Sequence, residues 1–341
     1  MRRSVFSFLS LAIVAAIGGA FSADAQSKKQ SNPEAPQDAD VIRVSTTLVT
    51  VPVSVMDRNG RFIPDLKQDQ FHLFEDGVEQ QIAFFENAEQ PFTVALLLDT
   101  SDSTAEKFKQ IKDAAAAFVN ELRADDRVLI MTFDKRITIL CEATSDRRVL
   151  ESAISRAQSG GGTSLYDAID SVITKRLKQI RGRKAIVLFT DGVDTTSRDA
   201  SYESTLRTAE ELDALIYAIQ FNTYADVSKP QGDASLDPAQ MSSGGVVTSK
   251  GEPLNVAYKR AERYLQFLTD RTAGRFFYAS SLGYLKGIFA RIAAELRERY
   301  SLGYYPNNKS AVKARRQVKV QVSLSNVALR YRRSYIYSTP P

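Results

Sequence analysis

VALLLDTSDS, residues 94–103, sets five apolar residues directly before a cluster of oxygen-bearing side chains. A short, uninterrupted apolar run of this kind is typical of a strand that is buried on both faces. Asp99, Ser101 and Ser103 then supply a carboxylate and two hydroxyls at alternate positions. Oxygen atoms are the ligands that small divalent cations prefer. The stretch therefore predicts a buried strand that ends at a cation site.

Two later segments place similar side chains at a predicted helix start and strand end. GGGTSL, residues 160–165, brings Thr163 before a helix, and IVLFTDG, residues 186–192, ends an apolar strand at Asp191. Each segment has a simpler interpretation alone, because Ser, Thr and Asp are preferred N-cap residues and Asp-Gly is common in turns. Capping does not explain why all three converge on the strand ends of one sheet, so we favour a metal site.

The pattern Asp-x-Ser-x-Ser, followed by a Thr and an Asp on two later loops, resembles the metal-ion-dependent adhesion site of the von Willebrand factor type A domain. The resemblance covers residues 91–299, and none of the five motif positions is substituted. It implies that a bound Mg²⁺, or Mn²⁺ or Ca²⁺, keeps one coordination position for an acidic residue of a partner protein. The ligands that it implies are Asp99, Ser101, Ser103, Thr163 and Asp191.

Predicted strands and helices alternate between residues 91 and 299, which is typical of an α/β fold. We expect a doubly wound, mostly parallel sheet with helices on both faces. Ligands of such sheets bind outside the carboxyl ends of the strands, where Asp99 and Asp191 are predicted to lie. Residues 222–254 interrupt the pattern and predict a long loop insertion, either a mobile surface loop or a second ligand-contacting element.

Residues 41–90 and 300–338 show the alternation of half-buried strands, and residues 71–85 indicate a hairpin. Neither flank is large enough to hold a core alone. We therefore predict that the flanks pair into one small β-sandwich in which the 91–299 domain is inserted. Pro52, inside the first predicted strand, indicates an edge position or a bulge. With Gly-Tyr-Tyr-Pro at residues 303–306, the arrangement resembles a group of secreted bacterial proteins related to von Willebrand factor A.

The first 25 residues have the pattern of a secretory signal peptide: two arginines, an apolar stretch and an Ala-Asp-Ala site. A retained membrane anchor is the alternative, although the apolar core is short for a span. Residues 26–40 are polar and predict a flexible leader. We expect a bacterial protein that is periplasmic or secreted, with no stable membrane span after cleavage.

The basic residues are unevenly distributed. The net charge is +5, and residues 300–341 contain eight Lys or Arg without one Asp or Glu. Basic side chains among tyrosines can bind nucleic acid, which an exported protein seldom meets. Outward-facing Lys and Arg also limit aggregation of sheet edges. We predict a solvated face and no nucleic-acid partner, and an anionic envelope surface or an acidic partner remains the alternative.

Enzymatic alternatives are restricted by the side chains that are missing. His72 is the only histidine and lies in a β flank, so a Ser-His-Asp triad or a histidine zinc site is not supported. A Mg²⁺-dependent phosphotransferase similar to the haloacid dehalogenase family would need a second Asp where this chain has Ser101. Another alternative is a structural scaffold in which the ion only ties the loops together. We predict a non-enzymatic, exported module that captures an acidic residue through its cation.

Overall fold

The computed structural model describes residues 48–87, 91–221, 223, 247–248, 250–279, 282–307 and 315–337. The predicted signal peptide, the predicted leader and most of the predicted 222–254 insertion lie outside the described residues. Among the described helices, none is both long and apolar enough to cross a membrane.

Strands and helices alternate through the middle of the chain, and the flanks consist mainly of strands, with one short 3-10 helix at Gln68–Gln70. The strands are β1 (Val49–Met56), β2 (Phe71–Glu75), β3 (Val78–Gln80), β4 (Ile82–Glu86), β5 (Phe92–Asp99), β6 (Arg127–Phe133), β7 (Ile137–Thr144), β8 (Arg183–Thr190), β9 (Leu215–Phe221), β10 (Arg275–Ala279), β11 (Tyr300–Tyr304), β12 (Arg315–Val322), β13 (Ala328–Tyr331) and β14 (Ser334–Ile336). The α-helices are α1 (Phe108–Glu121), α2 (Arg147–Ser155), α3 (Leu165–Lys175), α4 (Tyr202–Glu211), α5 (Leu254–Arg271) and α6 (Leu285–Arg297).

A six-stranded sheet forms the centre of the fold, in the order β10-β9-β8-β5-β6-β7. All neighbouring pairs are parallel except β6 with β7, which is antiparallel. Every residue of β5 is buried, as expected for a central strand that helices cover on both faces. The predicted doubly wound, mostly parallel sheet is confirmed.

The helices cover the two faces of this sheet and create two apolar cores. One core includes side chains of α1, α2 and α6, and the other includes side chains of α3, α4 and α5. Each helix contributes a stripe of apolar residues, because positions three and four apart lie on the same face. On α1 the buried stripe consists of Ile111, Ala114, Ala115, Phe118 and Val119.

The flanks build two antiparallel sheets of four strands, in the orders β13-β1-β11-β4 and β14-β12-β2-β3. Each sheet combines strands from both flanks, since β1 pairs with β11 and β2 pairs with β12. Alternate valines of β1 point into a core that the two sheets share. The α/β layer follows β4 and precedes β11 in the chain.

Two local predictions for the flanks hold only in part. Pro52 lies at no bulge, and although β1 is between β13 and β11, Pro52 itself has a strand neighbour only on the β11 side. It is tolerated because β13 pairs only with residues 53–56, so Pro52 lies beyond the end of this neighbour. The second strand of the predicted hairpin is also interrupted at Gln81, where the chain leaves β3 and continues as β4 in the other sheet.

The predicted solvated basic face is wrong for two of the arginines. Arg316 is buried and pairs with the buried carboxylate of Glu75, and Arg332 is also buried. Two more reach carboxylates of the α/β layer: Arg315 pairs with Glu210 and Arg330 with Glu295. These carboxylates belong to other segments, which is why the local sequence shows only unbalanced positive charge. The exposed basic residues on the described part of this flank are Arg315, Lys319 and Arg333.

Candidate metal centre

The sheet topology brings the three predicted loops to one edge of the central sheet. β5 ends at Asp99, and its parallel neighbour β8 ends at Thr190, directly before Asp191. The backbone of the loop before α3 is hydrogen-bonded to the loops that follow both strands. The Thr163 amide donates to the Thr195 hydroxyl at 2.8 Å, and the Gly160 amide donates to the Thr100 carbonyl at 2.8 Å.

Four of the five predicted ligand side chains form one chain of hydrogen bonds. The Ser101 hydroxyl donates to Oδ1 of Asp99 at 2.6 Å and lies 3.1 Å from the Ser103 hydroxyl. The Ser103 hydroxyl donates to Oδ2 of Asp191 at 2.8 Å. The fifth side chain is Thr163, whose hydroxyl has no hydrogen-bond partner among the described residues. The structure therefore places all five residues at the same sheet edge.

Both carboxylates of the cluster are removed from solvent, with exposed fractions of 0% for Asp99 and 1% for Asp191. Burial, together with the charge of Asp191, raises the pKa of Asp99 to about 7. Hydrogen bonds from Ser101 and Thr190 oppose this rise, because they stabilise the ionised form. A buried carboxylate whose pKa is raised in this way favours a positive charge beside it.

Asp191 has further partners that the sequence analysis did not identify. Oδ2 of Asp191 accepts hydrogen bonds from the Thr223 hydroxyl at 2.7 Å and from the Tyr258 hydroxyl at 3.3 Å. Thr223 and Tyr258 are also hydrogen-bonded to each other. Burial, and next the charge of Asp191, raise the pKa of Tyr258 far above its usual value, so the phenol remains a donor.

The residues that the sequence analysis missed differ in whether a local pattern could have identified them. Thr190 and Thr223 lie at or just after the carboxyl ends of β8 and β9, so the strand-end argument that identified Asp99 could also have identified them. Tyr258 lies on α5, 67 residues from Asp191. It carries no such signal, because only tertiary packing brings that helix to the site.

The backbone after Asp191 holds its carboxylate in place. The Val193 amide donates to Oδ1 of Asp191 at 3.0 Å, and the Gln220 side chain donates to the Asp191 carbonyl at 2.9 Å. Gly192 has a φ of +86°, a conformation that favours glycine. A Cβ there would lie 3.0 Å from Leu265 on α5. Glycine therefore allows α5, and with it Tyr258, to approach the loop closely.

A cavity of about 270 Å³ opens beside the cluster. Ser101, Ser103, Thr163 and Asp191 line one side of it. Its lining also includes the apolar side chains of Val193, Val247 and Leu254 and the side chain of Tyr258. A molecule in this cavity would reach the hydroxyls and one of the two carboxylates.

The chemistry of this donor set fits a hard divalent cation. All five side chains offer oxygen, which suits Mg²⁺, Mn²⁺ and Ca²⁺, and none offers the nitrogen or sulfur that zinc sites usually include. Within the described ranges, no group of three or more His, Cys, Asp and Glu side chains is assembled. The cluster therefore combines two carboxylates with neutral hydroxyls and is not a carboxylate cage.

Comparison with known proteins identifies the domain that carries this cluster. Residues 94–193 match the family model of the von Willebrand factor type A domain. The chain thus contains a von Willebrand factor type A domain, a class of protein-interaction module that is typically non-enzymatic. A protein of Synechocystis sp., described as uncharacterized, is 31% identical over 106 residues. The alignment covers 30% of this chain and a quarter (25%) of that protein's length.

Three solved structures are similar at TM-scores below 0.5. A von Willebrand factor type A protein from Catenulispora acidiphila has a TM-score of 0.46 and 9% identity, over 86% of this chain and 74% of that one. The vWF domain of the type V pili tip protein Mfa5 from Porphyromonas gingivalis has a TM-score of 0.45 and 13% identity, over 61% and 95%. Proximal thread matrix protein 1 from the mussel byssus, with a zinc-occupied MIDAS motif, has a TM-score of 0.45 and 16% identity, over 64% and 48%.

Proposed function

We propose that this chain is an exported, metal-dependent binding protein that captures an acidic residue of a partner protein. Asp99, Ser101, Ser103, Thr163 and Asp191 would hold Mg²⁺ or a similar divalent cation. The bound ion would supply the positive charge that attracts the partner's carboxylate. Hydroxyl ligands add no negative charge, so the ion keeps its attraction for an external anion.

One observation carries the proposal: the continuous hydrogen-bond chain from Asp99 through Ser101 and Ser103 to Asp191, next to an open cavity. A hydroxyl that donates one hydrogen bond still has lone pairs with which to bind a cation. Ser103 can therefore orient Asp191 and bind the ion with the same oxygen. The cavity supplies the route by which a carboxylate would arrive.

The same geometry gives little support to phosphoryl transfer through Asp99. A nucleophilic carboxylate needs a positioned acid nearby, and the residue two positions later is Ser101, whose hydroxyl is bound to Asp99. An assay with a phosphate monoester tests this alternative. We expect no Mg²⁺-dependent turnover, and turnover abolished by Asp99→Asn would contradict the non-enzymatic proposal.

Metal binding is tested by titrating the full chain with MgCl₂ in a calorimeter. Thr163→Ala should weaken Mg²⁺ binding about tenfold or more, because it removes a hydroxyl that has no other partner among the described residues. Thr174→Ala is the matched control, since its hydroxyl donates to the Asp170 carbonyl within α3, the helix that follows Thr163. Equal Mg²⁺ affinity for both variants and the unmodified chain would contradict the ligand assignment.

Adhesion and a purely structural ion predict different results for partner capture. A pull-down from bacterial envelope extract should recover partners in Mg²⁺ and lose them in chelator, and Thr163→Ala should lose them while keeping its fold. If the ion is only structural, Asp191→Ala would lower the melting temperature without changing capture.

Export is tested separately by cell fractionation and N-terminal sequencing. We expect the mature chain in the periplasm or the medium, beginning at Gln26. An uncleaved chain in the membrane fraction would favour the anchor alternative.

A further inference from the structure

We propose that the ligand is a peptide segment in which the acidic residue has a large apolar neighbour, whose side chain enters the cavity beside the metal centre. This inference rests on the proposed function and specifies the partner more narrowly. It concerns four mainly apolar residues that line the cavity beside the cluster, Val193, Val247, Leu254 and Tyr258, which we call the apolar wall.

The apolar wall adjoins the loop after β8 that carries Asp191, which we call the metal loop, and is not an isolated surface. Val193 follows Asp191 by two residues, and Tyr258 contacts the Asp191 carboxylate directly. Val193 and Leu254 are each 7% exposed, so packing holds them in place. Val247 is 54% exposed and lies at the rim. A ligand that reaches the metal loop therefore also meets the apolar wall.

A short hairpin holds the rim against this loop. Val247 pairs with Pro253 as an antiparallel bridge, and the Thr248 amide donates to the Glu252 carbonyl at 2.8 Å. The Lys250 ammonium lies 2.9 Å from the carboxylate of Asp194, which is buried. This ion pair joins the hairpin to the segment that follows Asp191, so the two segments are held together beside the cavity.

The charges around the cavity restrict what can enter it. Asp102 and Asp191 both line it, and Asp99 lies behind Ser101. The nearby positive charge of Lys250 already pairs with Asp194. Without a cation the cavity repels an acidic ligand, and with one it attracts a single carboxylate. The other lining residues include the apolar wall, which offers contacts to an apolar side chain.

The cavity is large enough to admit a bulky side chain. Its volume of about 270 Å³ lies just below the range of about 300–1,000 Å³ that is typical of small-molecule sites. An aliphatic or aromatic side chain next to the acidic residue would occupy part of this space and contact the apolar wall. Burying such a side chain improves affinity by about tenfold or more.

The test titrates the full chain in saturating MgCl₂ with three kinds of capped tetrapeptide. One kind contains Asp-Leu or Leu-Asp between glycines, the second has Ser in place of Leu, and the third has Asn in place of Asp. We expect the better of the two Leu peptides to bind about tenfold or more tightly than its Ser counterpart. We expect the Asn peptides not to bind.

Substitutions in the apolar wall test whether these residues cause the preference for Leu over Ser. Val247→Ser and Leu254→Ser should reduce the ratio of Leu to Ser affinity by threefold or more, while Mg²⁺ affinity stays unchanged and reports an intact fold. Val256→Ser is the matched control, because Val256 is 47% exposed near the start of the same helix and does not line the cavity. It should leave the ratio unchanged.

The outcomes separate this inference from the proposed function. Equal binding of the Leu and Ser peptides, both dependent on Mg²⁺ and on Asp, would overturn the inference and leave the proposed function standing. A Leu preference that survives both wall variants would also overturn it. Mg²⁺ binding without capture of any Asp peptide would overturn the proposed function itself.

Discussion

The hydroxyl of Ser103 donates a hydrogen bond of 2.8 Å to Oδ2 of Asp191, although 88 residues separate the two in sequence. This contact joins the loop after β5 to the loop after β8. The same Asp191 oxygen also accepts hydrogen bonds from Thr223 and Tyr258. Asp191 is therefore the residue at which the loops after β5 and β8, the end of strand β9 and helix α5 meet. Most of the predictions below depend on this position.

Neutralising Asp191 should have different effects with and without metal. Asp191→Asn removes a buried charge that opposes ionisation of Asp99, which offsets the hydrogen bonds that the carboxylate no longer accepts, so at about pH 8 the melting temperature of the metal-free protein should change little. The variant should also lose the gain in melting temperature that excess Mg²⁺ gives the unmodified chain, which we expect to be about 5 °C. Thermal melts in chelator and in MgCl₂ measure both effects.

Asp194→Asn is the control for this experiment. Asp194 is buried and pairs with Lys250, so its neutralisation should lower the melting temperature in chelator and in MgCl₂ alike. A fall for Asp191→Asn in chelator as large as that for Asp194→Asn would show that repulsion between Asp99 and Asp191 is unimportant.

The affinity for Mg²⁺ should rise with pH. In the metal-free protein the pKa of Asp99 is about 7, above its ordinary value of 3.8. Below pH 7 the ion must therefore displace a proton, and affinity should fall about tenfold per pH unit until other groups titrate. Calorimetry in two buffers of different ionisation enthalpy should detect the release of about one proton near pH 6. Constant affinity from about pH 5.5 to 8 would contradict this prediction.

The stability of the metal-free protein should show the reverse dependence on pH. Because the pKa of Asp99 is higher in the folded chain than its ordinary value, the folded state binds more protons than the unfolded state between pH 3.8 and about 7. The contribution of Asp99 to stability is thus present at low pH and is lost as pH rises toward 7. Urea unfolding in chelator, compared with Asp99→Asn, isolates this contribution. A parallel pH profile for the variant would contradict it.

Tyr258→Phe should weaken Mg²⁺ binding by about tenfold, because it removes a donor that orients the Asp191 carboxylate. Thr223→Val should have a similar effect through the shorter contact of 2.7 Å. Calorimetric titration with MgCl₂ is the measurement. Tyr264→Phe provides a close control, since Tyr264 lies on the same helix and its hydroxyl also bonds a threonine, Thr205. Equal losses in the two tyrosine variants would indicate a general effect on α5.

The buried ion pair of the β flanks should control stability without affecting the metal centre. Oε2 of Glu75 accepts hydrogen bonds of 2.6 Å from Tyr304 and Tyr335, and Oε1 accepts one from Arg316. Glu75→Gln leaves the Arg316 charge buried without its counter-ion, at a cost of about 3–5 kcal/mol. Urea unfolding measures this loss, and Mg²⁺ affinity should not change.

An exposed pair on the same hairpin provides the contrast for Glu75→Gln. Glu79 lies 2.9 Å from His72, with side-chain exposed fractions of 58% and 47%. Glu79→Gln should therefore cost no more than about 1 kcal/mol. Similar losses for the two substitutions would contradict the assignment of Glu75 as a buried anchor of the flanks.

Much of the fold followed from local patterns in the sequence. The apolar run before Asp99 predicts a central strand, and β5 is buried along its whole length. Alternating strands and helices predict parallel neighbours, and parallel strands end at the same edge of a sheet. This rule places Asp99 and Asp191 at the same edge, and the pairing of β5 with β8 then makes them neighbours. The same rule places the Ser and Thr side chains of the site at this edge, because they lie within a few residues of predicted strand ends or helix starts.

Local patterns did not reveal which distant side chains meet. The alternation around Arg316 predicts its strand but not that Glu75 would neutralise its charge inside the flank. In the same way, the local sequence around Pro52 predicts a weakened strand. The proline is nevertheless accommodated, because β13 ends before reaching it. In both cases the outcome depends on a neighbour from another part of the chain.

Local patterns were enough to predict most strands and helices and to place the five oxygen-bearing residues at one sheet edge, because periodicity and strand ends are properties of short segments. Tertiary packing, in contrast, brings Tyr258 and Thr223 to Asp191 and places Val247 and Leu254 at the same cavity. No local pattern predicts this packing, because α5 approaches the loop after β8 through close contacts such as that at Gly192, which lies 73 residues before Leu265 in the sequence.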